Sequence, residues 1–201
     1  MSLYVVTLAE MKANLGISDA QDDTVLTRWL EGLQDRIEQA LGRELLRQVG
    51  AEEILDGGER FVYVKRWPVE SGTTPRVWLS TDQDWCDDNE LDFDLQEFLV
   101  KWDRGKFSYG VGNYNWPGGF QNVRIVYTGG FVAAGESAGA GQSVMPEGIR
   151  RGTFIQGEFE WRNREHLGQR SINAQGASVN LAPAQLLPEV VRIIEAFKRH
   201  L

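Results

Sequence analysis

The chain has 201 residues, with 21 Lys and Arg against 29 Asp and Glu, for a formal net charge of −8. Apolar residues make up 42 % and charged residues 25 %, ordinary globular usage that excludes a chain disordered over most of its length. The single cysteine, Cys86, excludes an intrachain disulfide framework and a multi-cysteine zinc site, and the two histidines, His166 and His200, are too few for a histidine-rich metal centre.

The first element is marked by Thr7-Leu8-Ala9-Glu10, a capping box in which the threonine accepts from the third helical N–H and the glutamate reaches back. Val6 and Met11 stand where a hydrophobic staple would be. Leu8, Met11 and Leu15 share a face, and Gly16 supplies the stop. An acidic turn with Asp19, Asp22 and Asp23 then favours a new helix N-terminus. In that second helix Val25, Trp29, Leu33, Ile37 and Leu41 recur every four residues, widened by Leu26, Leu30 and Ala40. Arg28, Glu31, Asp35, Arg36 and Glu38 occupy the other side, and Gly42 ends the helix.

The middle reads as strands. Leu45–Ile54 is closed by the Asp56-Gly57-Gly58 turn, and Phe61–Val64 is ended by Trp67-Pro68. Arg76–Ser80 and Glu97–Trp102 are shorter candidates. Val123, Ile125 and Tyr127 alternate with Arg124, Val126 and Thr128 as in a half-buried strand. Gly105–Gly119, rich in glycine, asparagine and aromatics, is expected to be a long loop, and Gly129–Ser143 a mobile linker of small residues.

The C-terminal part returns to helices. Pro146 suits a first turn, and Met145, Ile149, Gly152, Ile155 and Phe159 share a face through about Glu165. Gly152 and Gly157 each cost about 1 kcal/mol of helix propensity relative to alanine, which points to close packing against a neighbour. Residues 168–185 are polar and small, without a period. Pro188 opens a last helix striped by Val190, Ile193, Ile194 and Phe197.

Charge is unevenly spread. Residues 1–45 and 46–145 are net acidic, whereas 146–201 are mildly basic. Asp82 to Glu97 holds acids without a base, yet fails as a calcium loop: Cys86, Asp87 and Phe93 stand where an EF-hand needs a ligand, a glycine and a bidentate glutamate. Residues 136–143 lack the lysine of a phosphate loop, and Gly110-Val111-Gly112 lacks the third glycine of a dinucleotide fingerprint. His166 beside Glu165 suits a helix end as well as an acid–base pair, and His200 is expected in solvent. Carboxylates around Cys86 disfavour a thiolate. No catalytic, cofactor-binding or metal-binding constellation emerges. No apolar run reaches the roughly 18–20 residues of a membrane span, and Met1–Val6 lacks a signal peptide's basic region. A soluble, intracellular protein is the expectation. The acidic balance also argues against sequence-independent DNA binding. Trp67, Trp78 and Trp102 lie in strand-like runs and are expected in the core or half-buried. Trp85 and Trp116 lie in loop-like sequence and are candidates for an interface.

The order of these pieces resembles the head-tail connector, or adaptor, proteins of tailed bacteriophages and prophages. Val6–Lys12 with Leu15 resembles the family's opening helix, and the acidic turn Asp19–Asp23 precedes its long helix. Leu41-Gly42-Arg43-Glu44-Leu45 resembles its helix-to-strand exit, and Tyr127-Thr128-Gly129-Gly130-Phe131 its last strand and turn. Met145–Arg150 resembles the opening of the next helix and Trp161–Glu165 its close. Asp82–Trp116 has no counterpart in that pattern.

The resemblance implies an α+β fold in a single domain, residues 1–201. A small helical core of residues 1–45 and 146–201 carries a β-rich insertion, 46–145. It implies a dodecameric ring below the portal protein, above a stopper or tail-completion protein. DNA would pass through it without sequence-specific binding. It implies no enzyme, no cofactor and no membrane. Assembly would take place in the bacterial cytoplasm, with the final location at the virion's head-tail interface. Asp82, Asp84, Asp87 and Asp88 are candidates for channel-facing acids, and Val190, Ile194 and Phe197 join Trp85 and Trp116 as interface candidates. Two readings from other classes stand beside it. One is a carbohydrate- or peptide-binding module using Trp85, Tyr109, Tyr114 and Trp116; the other is a hydrolase whose residues are dispersed in sequence.

Overall fold

A computed structural model describes residues 4–80, 82, 84–112, 114–164, 172–174, 177–179 and 186–198. In chain order the helices are α1 (Leu8–Leu15), α2 (Asp23–Leu41), α3 (Glu147–Arg162) and α4 (Pro188–Glu195). The strands are β1 (Gln48–Leu55), β2 (Phe61–Tyr63), β3 (Arg76–Leu79), β4 (Glu90–Leu91), β5 (Phe98–Lys101) and β6 (Lys106–Tyr109). They continue with β7 (Val123–Gly129), β8 (Phe131–Val132), β9 (Ser143–Val144), β10 (Ile172–Ala174) and β11 (Ala177–Val179). The class is α+β, with the strand-rich part inserted between helices. The chain clusters into two compact units: one takes residues up to Gly42, Ala133–Gly135 and Met145 onward, the other Arg43–Val132 and Glu136–Val144.

The helical unit is built on the caps that the sequence displays. Thr7 Oγ1 accepts from Glu10 N at 3.1 Å, and Glu10 Oε2 accepts from Thr7 N at 2.8 Å. Gly16 then takes a left-handed φ of 71° and closes α1. Arg150 on α3 donates to the other oxygen of Glu10 at 2.6 Å, so one carboxylate both caps α1 and ties it to α3.

The buried stripe of α2 is Leu26, Leu30, Leu33, Ile37 and Leu41, not the four-residue series that begins at Val25. Val25 is 58 % exposed. At 3.6 residues per turn, steps of four drift by about 40° each, so Val25 and Leu41 cannot share a face. Each fully buried leucine or isoleucine contributes about 1.5–3 kcal/mol.

Helix α3 is buried on more than one side, through Ile149, Gly152, Thr153, Gln156, Gly157, Glu160 and Trp161. Its glycines do what their propensity cost implies. A Cβ on Gly157 would lie 2.6 Å from Met11 Cε, and one on Gly152 3.1 Å from Ile194 Cγ2. The helix ends at Arg162, short of Glu165. Residues that the sequence leaves without a period include the antiparallel pair β10–β11, with Ile172 opposite Val179.

The strand-rich unit contains a four-stranded sheet in the order β1-β7-β3-β4 and a three-stranded sheet in the order β2-β6-β5. Both are antiparallel. Val77 pairs with Ile125 and Ala51 with Tyr127, so the alternation in β7 sends Val123, Ile125 and Tyr127 into the core. Phe98, Phe107 and Trp116 fill that core from the second sheet and its loop.

Two expectations for this unit are corrected. Gly105–Gly119 is not all loop: β6 lies inside it, pairs with both β2 and β5, and buries Phe107 completely. Its period-two pattern is only four residues long and is hemmed in by glycines. Gly129–Ser143 is not a mobile linker throughout, because Phe131, Val132 and Ala133 are buried and β8 pairs with β9. Gly130 turns there with φ 99°, where a Cβ would sit 2.5 Å from Leu46 O. Only a residue without a side chain permits that approach.

Candidate assembly surfaces

The acidic stretch is a surface feature of the strand-rich unit. Asp82, Asp84, Asp87 and Asp88 are all exposed. Asp82 Oδ1 accepts from Ser80 Oγ at 2.7 Å and from Asp84 N at 3.3 Å, and these hydrogen bonds hold its carboxyl below the usual carboxylate range. Further on, Asp92 Oδ1 accepts from Asp94 N and Leu95 N at 2.7 and 3.1 Å. Glu97 Oε2 accepts from Asp92 N at 2.6 Å. The acids therefore cap their own turns as well as face water. Among the described residues no group of three or more His, Cys, Asp or Glu converges as a metal site.

Beside this stretch, the outer face of the four-stranded sheet is closed by paired charges. Arg124 on β7 meets Glu52 on β1 at 3.0 Å, and Arg76 on β3 meets Glu90 on β4 at 2.6 Å. Both guanidiniums lie over the ring of Trp78, at 4.6 and 4.7 Å from its centroid. Trp78 is buried beneath them, 4 % exposed. The hydrogen bonds to Glu90 raise the Arg76 pKa further above its ordinary value.

The loop tryptophans separate. Trp85 is half-buried, but Trp116 belongs to the core at 1 % exposure. Its backbone is anchored by Trp116 N to Glu59 O at 2.9 Å and Gly58 N to Trp116 O at 3.0 Å. Its ring packs 5.4 Å from Tyr109. The surrounding glycines and asparagines disguise a segment that folds back onto the sheet edge, so as placed Trp116 offers no surface. The aromatic platform considered from the sequence is not assembled: Tyr114 is 62 % exposed, while Trp116 is enclosed. Among the described residues, the most exposed large apolar side chains are Leu95 and Phe120, at 74 % and 73 %, and the sequence marks neither. Each is a lone side chain within acidic or glycine-rich sequence, where no period could mark it. Trp67 and Trp102 are half-buried, as their strand-like settings suggest.

In the helical unit, Val190 and Ile194 of α4 are buried and Phe197 is half-buried. They face the glycine side of α3: Gly152 lies against Val190 and Ile194, and Gly148 against the Phe197 ring. A buried polar network holds the other end of that contact. Glu160 Oε2 accepts from Trp29 Nε1 at 3.0 Å and Arg36 Nη2 at 2.7 Å, while its Oε1 accepts from Gln156 Nε2 at 2.6 Å. Gln156 Oε1 in turn accepts from Leu187 N, at the start of α4, at 2.8 Å. Glu165, His166 and His200 lie outside the described residues.

Comparison with known proteins gives one family, the phage gp6-like head-tail connector proteins, matched over residues 5–64. No curated protein matches. Among solved structures, a chain from the neck of an empty gene transfer agent particle, computed with C6 symmetry, is similar with a TM-score of 0.55 at 16 % identity. The match covers 100 % of this chain and 98 % of that one. A chain from the virion of the native gene transfer agent particle is similar with a TM-score of 0.54 at 18 % identity, over 98 % of this chain and 92 % of the other. These likenesses establish a shared fold along the whole chain. Residues 5–64, about the first third of the chain, match the family of phage gp6-like head-tail connector proteins, and the chain as a whole is similar in fold to a chain from the neck of a gene transfer agent particle.

Proposed function

We propose that the chain is a structural head-tail connector that assembles with its own copies into a ring, dodecameric when complete. The ring sits below a portal protein and above a stopper or tail-completion protein. The observation that carries this reading is the family match over residues 5–64, which span α1, α2, β1 and β2. Support for a ring comes from the similar neck chain, whose particle was computed with C6 symmetry. The role is mechanical and needs no cofactor: a conduit for DNA and an attachment point for the tail. Assembly takes place in the host cytoplasm, and the ring then stays at the head-tail interface.

Within this reading, the exposed Asp82, Asp84, Asp87 and Asp88 face the channel. Carboxylates there would repel the phosphate backbone and let DNA slide rather than bind. Residues 186–201, mildly basic, contact the portal.

The test is light scattering across the size-exclusion peak at rising protein concentration, with negative-stain images of the same fractions. Closed rings with a central hole are expected, alone or on addition of portal protein. A chain that stays monomeric in both conditions overturns the proposal.

A further inference from the structure

Strand β5 starts beside an acidic turn and ends in a basic row. Ahead of it stand Asp92, Asp94 and Glu97, all exposed, with Leu95 among them at 74 % exposure. At its far end Lys101 lies opposite Lys106 of β6, which in turn lies opposite Tyr63 of β2. From Phe98 to Lys101 the strand rises about 10 Å, so one three-stranded sheet carries opposite charges at its two ends.

The lysines stand on the outer face. Val62, Phe98, Val100 and Phe107 pack in the core, so the alternation turns Phe61, Leu99, Lys101 and Lys106 away from it. Like charges directly opposite each other on a sheet are destabilising. Among the described residues neither lysine makes an ion pair, and the charges next to them in sequence, Asp103 and Arg104, pair with each other. Asp92, Asp94 and Glu97 likewise have no ion pair among the described residues. Their turn is fixed from within: Asp92 Oδ1 accepts from Asp94 N and Leu95 N, and Glu97 Oε2 from Asp92 N. It therefore presents Leu95 to a partner with little left to order.

We infer that the acidic turn of one copy docks on the basic end of the neighbouring copy's three-stranded sheet. The carboxylates meet Lys101 and Lys106, and Leu95 meets the apolar part of that face, where Leu99 is 38 % exposed. The inference deepens the ring reading and rests on it. Charge complementarity selects a second copy as the occupant: the two complements sit at opposite ends of one sheet, so each copy gives at one end and receives at the other. Contacts of this head-to-tail kind close into a ring when the rotation allows. A nucleic-acid strand suits the face less well. Bases stack on free aromatic faces, whereas Phe61 already has Lys106 Nζ at 3.2 Å and the Arg60 guanidinium at 4.9 Å from its centroid.

The test reverses each end in the full chain. One variant carries Lys101→Glu and Lys106→Glu. The other carries Asp94→Lys and Glu97→Lys, which leaves both hydrogen bonds of Asp92 Oδ1 in place. Each alone should raise the concentration for half-maximal ring assembly by about tenfold or more. Mixed in equal amounts the two should form rings again, because in alternating copies every turn then faces the opposite charge. That recovery is one a mere folding defect would not give. Either variant assembling like wild type, or a mixture that stays unassembled, overturns the inference and leaves the ring reading intact. A labelled DNA duplex bound by wild type but not by Lys101→Glu with Lys106→Glu, while rings are unaffected, assigns the face to nucleic acid instead. Wild-type chain that forms no ring, even with portal protein, removes the ring reading and the interface together.

Leu95→Ser guards against charge reversals that disturb folding. The side chain is exposed, so the urea midpoint should stay at the wild-type value while ring assembly weakens. Normal rings from this variant remove Leu95 from the interface and overturn the docking as drawn.

Discussion

The helical unit and the strand-rich unit present their rules at different ranges. In the helical unit the deciding signals are local. A capping box fixes where α1 begins, a left-handed glycine fixes where it ends, and an apolar stripe fixes which face of α2 is inside. In the strand-rich unit the deciding contacts join residues far apart in sequence. Strand β6 is a strand because β2 and β5 lie on either side of it, and Trp116 is core because Glu59 and Gly58 anchor its backbone. Short strands carry little information of their own; helices announce their ends.

The strongest way to break the comparison is to open the core of the strand-rich unit alone. Phe107→Ala removes a fully buried ring from β6 and should cost about 3–5 kcal/mol. Five of the seven tryptophans, Trp67, Trp78, Trp85, Trp102 and Trp116, lie in that unit and report on it by fluorescence. The fluorescence-detected urea midpoint should fall further than the midpoint seen at 222 nm. Coincident shifts would mean that the two units unfold together.

The reciprocal change is Gly157→Val, which forces a side chain against Met11 and Leu33. Overpacking of this kind should cost about 1–3 kcal/mol, read chiefly at 222 nm.

Thr7→Ala deletes the cap of α1 and should cost about 1 kcal/mol in the same assay. A smaller loss would assign most of α1's stability to the Arg150 contact with Glu10.

The finest probe is pH. Burial pushes the Glu10 pKa up, but the Thr7 N–H and Arg150 outweigh it and hold the carboxyl below its ordinary 4.5. The unfolded chain therefore binds this proton more readily than the folded one. The contribution is fully present above the ordinary value and is lost as pH falls through the folded one. Urea midpoints measured downward from pH 6 should decline less steeply in Glu10→Gln than in wild type. Equal slopes would remove Glu10 from the account.

What was legible follows the same division. The capping box, both left-handed stops and the close-packed α3 glycines could be read because each depends on neighbours in sequence. Val25 was misplaced because a four-residue repeat only approximates the helical period. Strand β6 and the burial of Trp116 were hidden by glycine-rich flanks that look like loop. Leu95 and Phe120 had no pattern at all, and their exposure is set by turns that only the fold defines. The Glu160 network joins Trp29, Arg36 and Gln156 across two helices, and no sequence spacing marks such a meeting.

The paired charges over Trp78 have one more consequence. Across the sheet the order is carboxylate, guanidinium, indole, guanidinium, carboxylate, from Glu52 to Glu90. Such a row has no net charge and, being nearly symmetric, little dipole; it acts outward as a quadrupole, whose potential fades quickly with distance. Among the described residues, the neighbouring acids at 82–97 other than Glu90 show one ion pair, that of Asp87 with the same Arg76. An approaching polyelectrolyte would therefore be steered by the loops of this unit, while the sheet face between them stays electrically quiet.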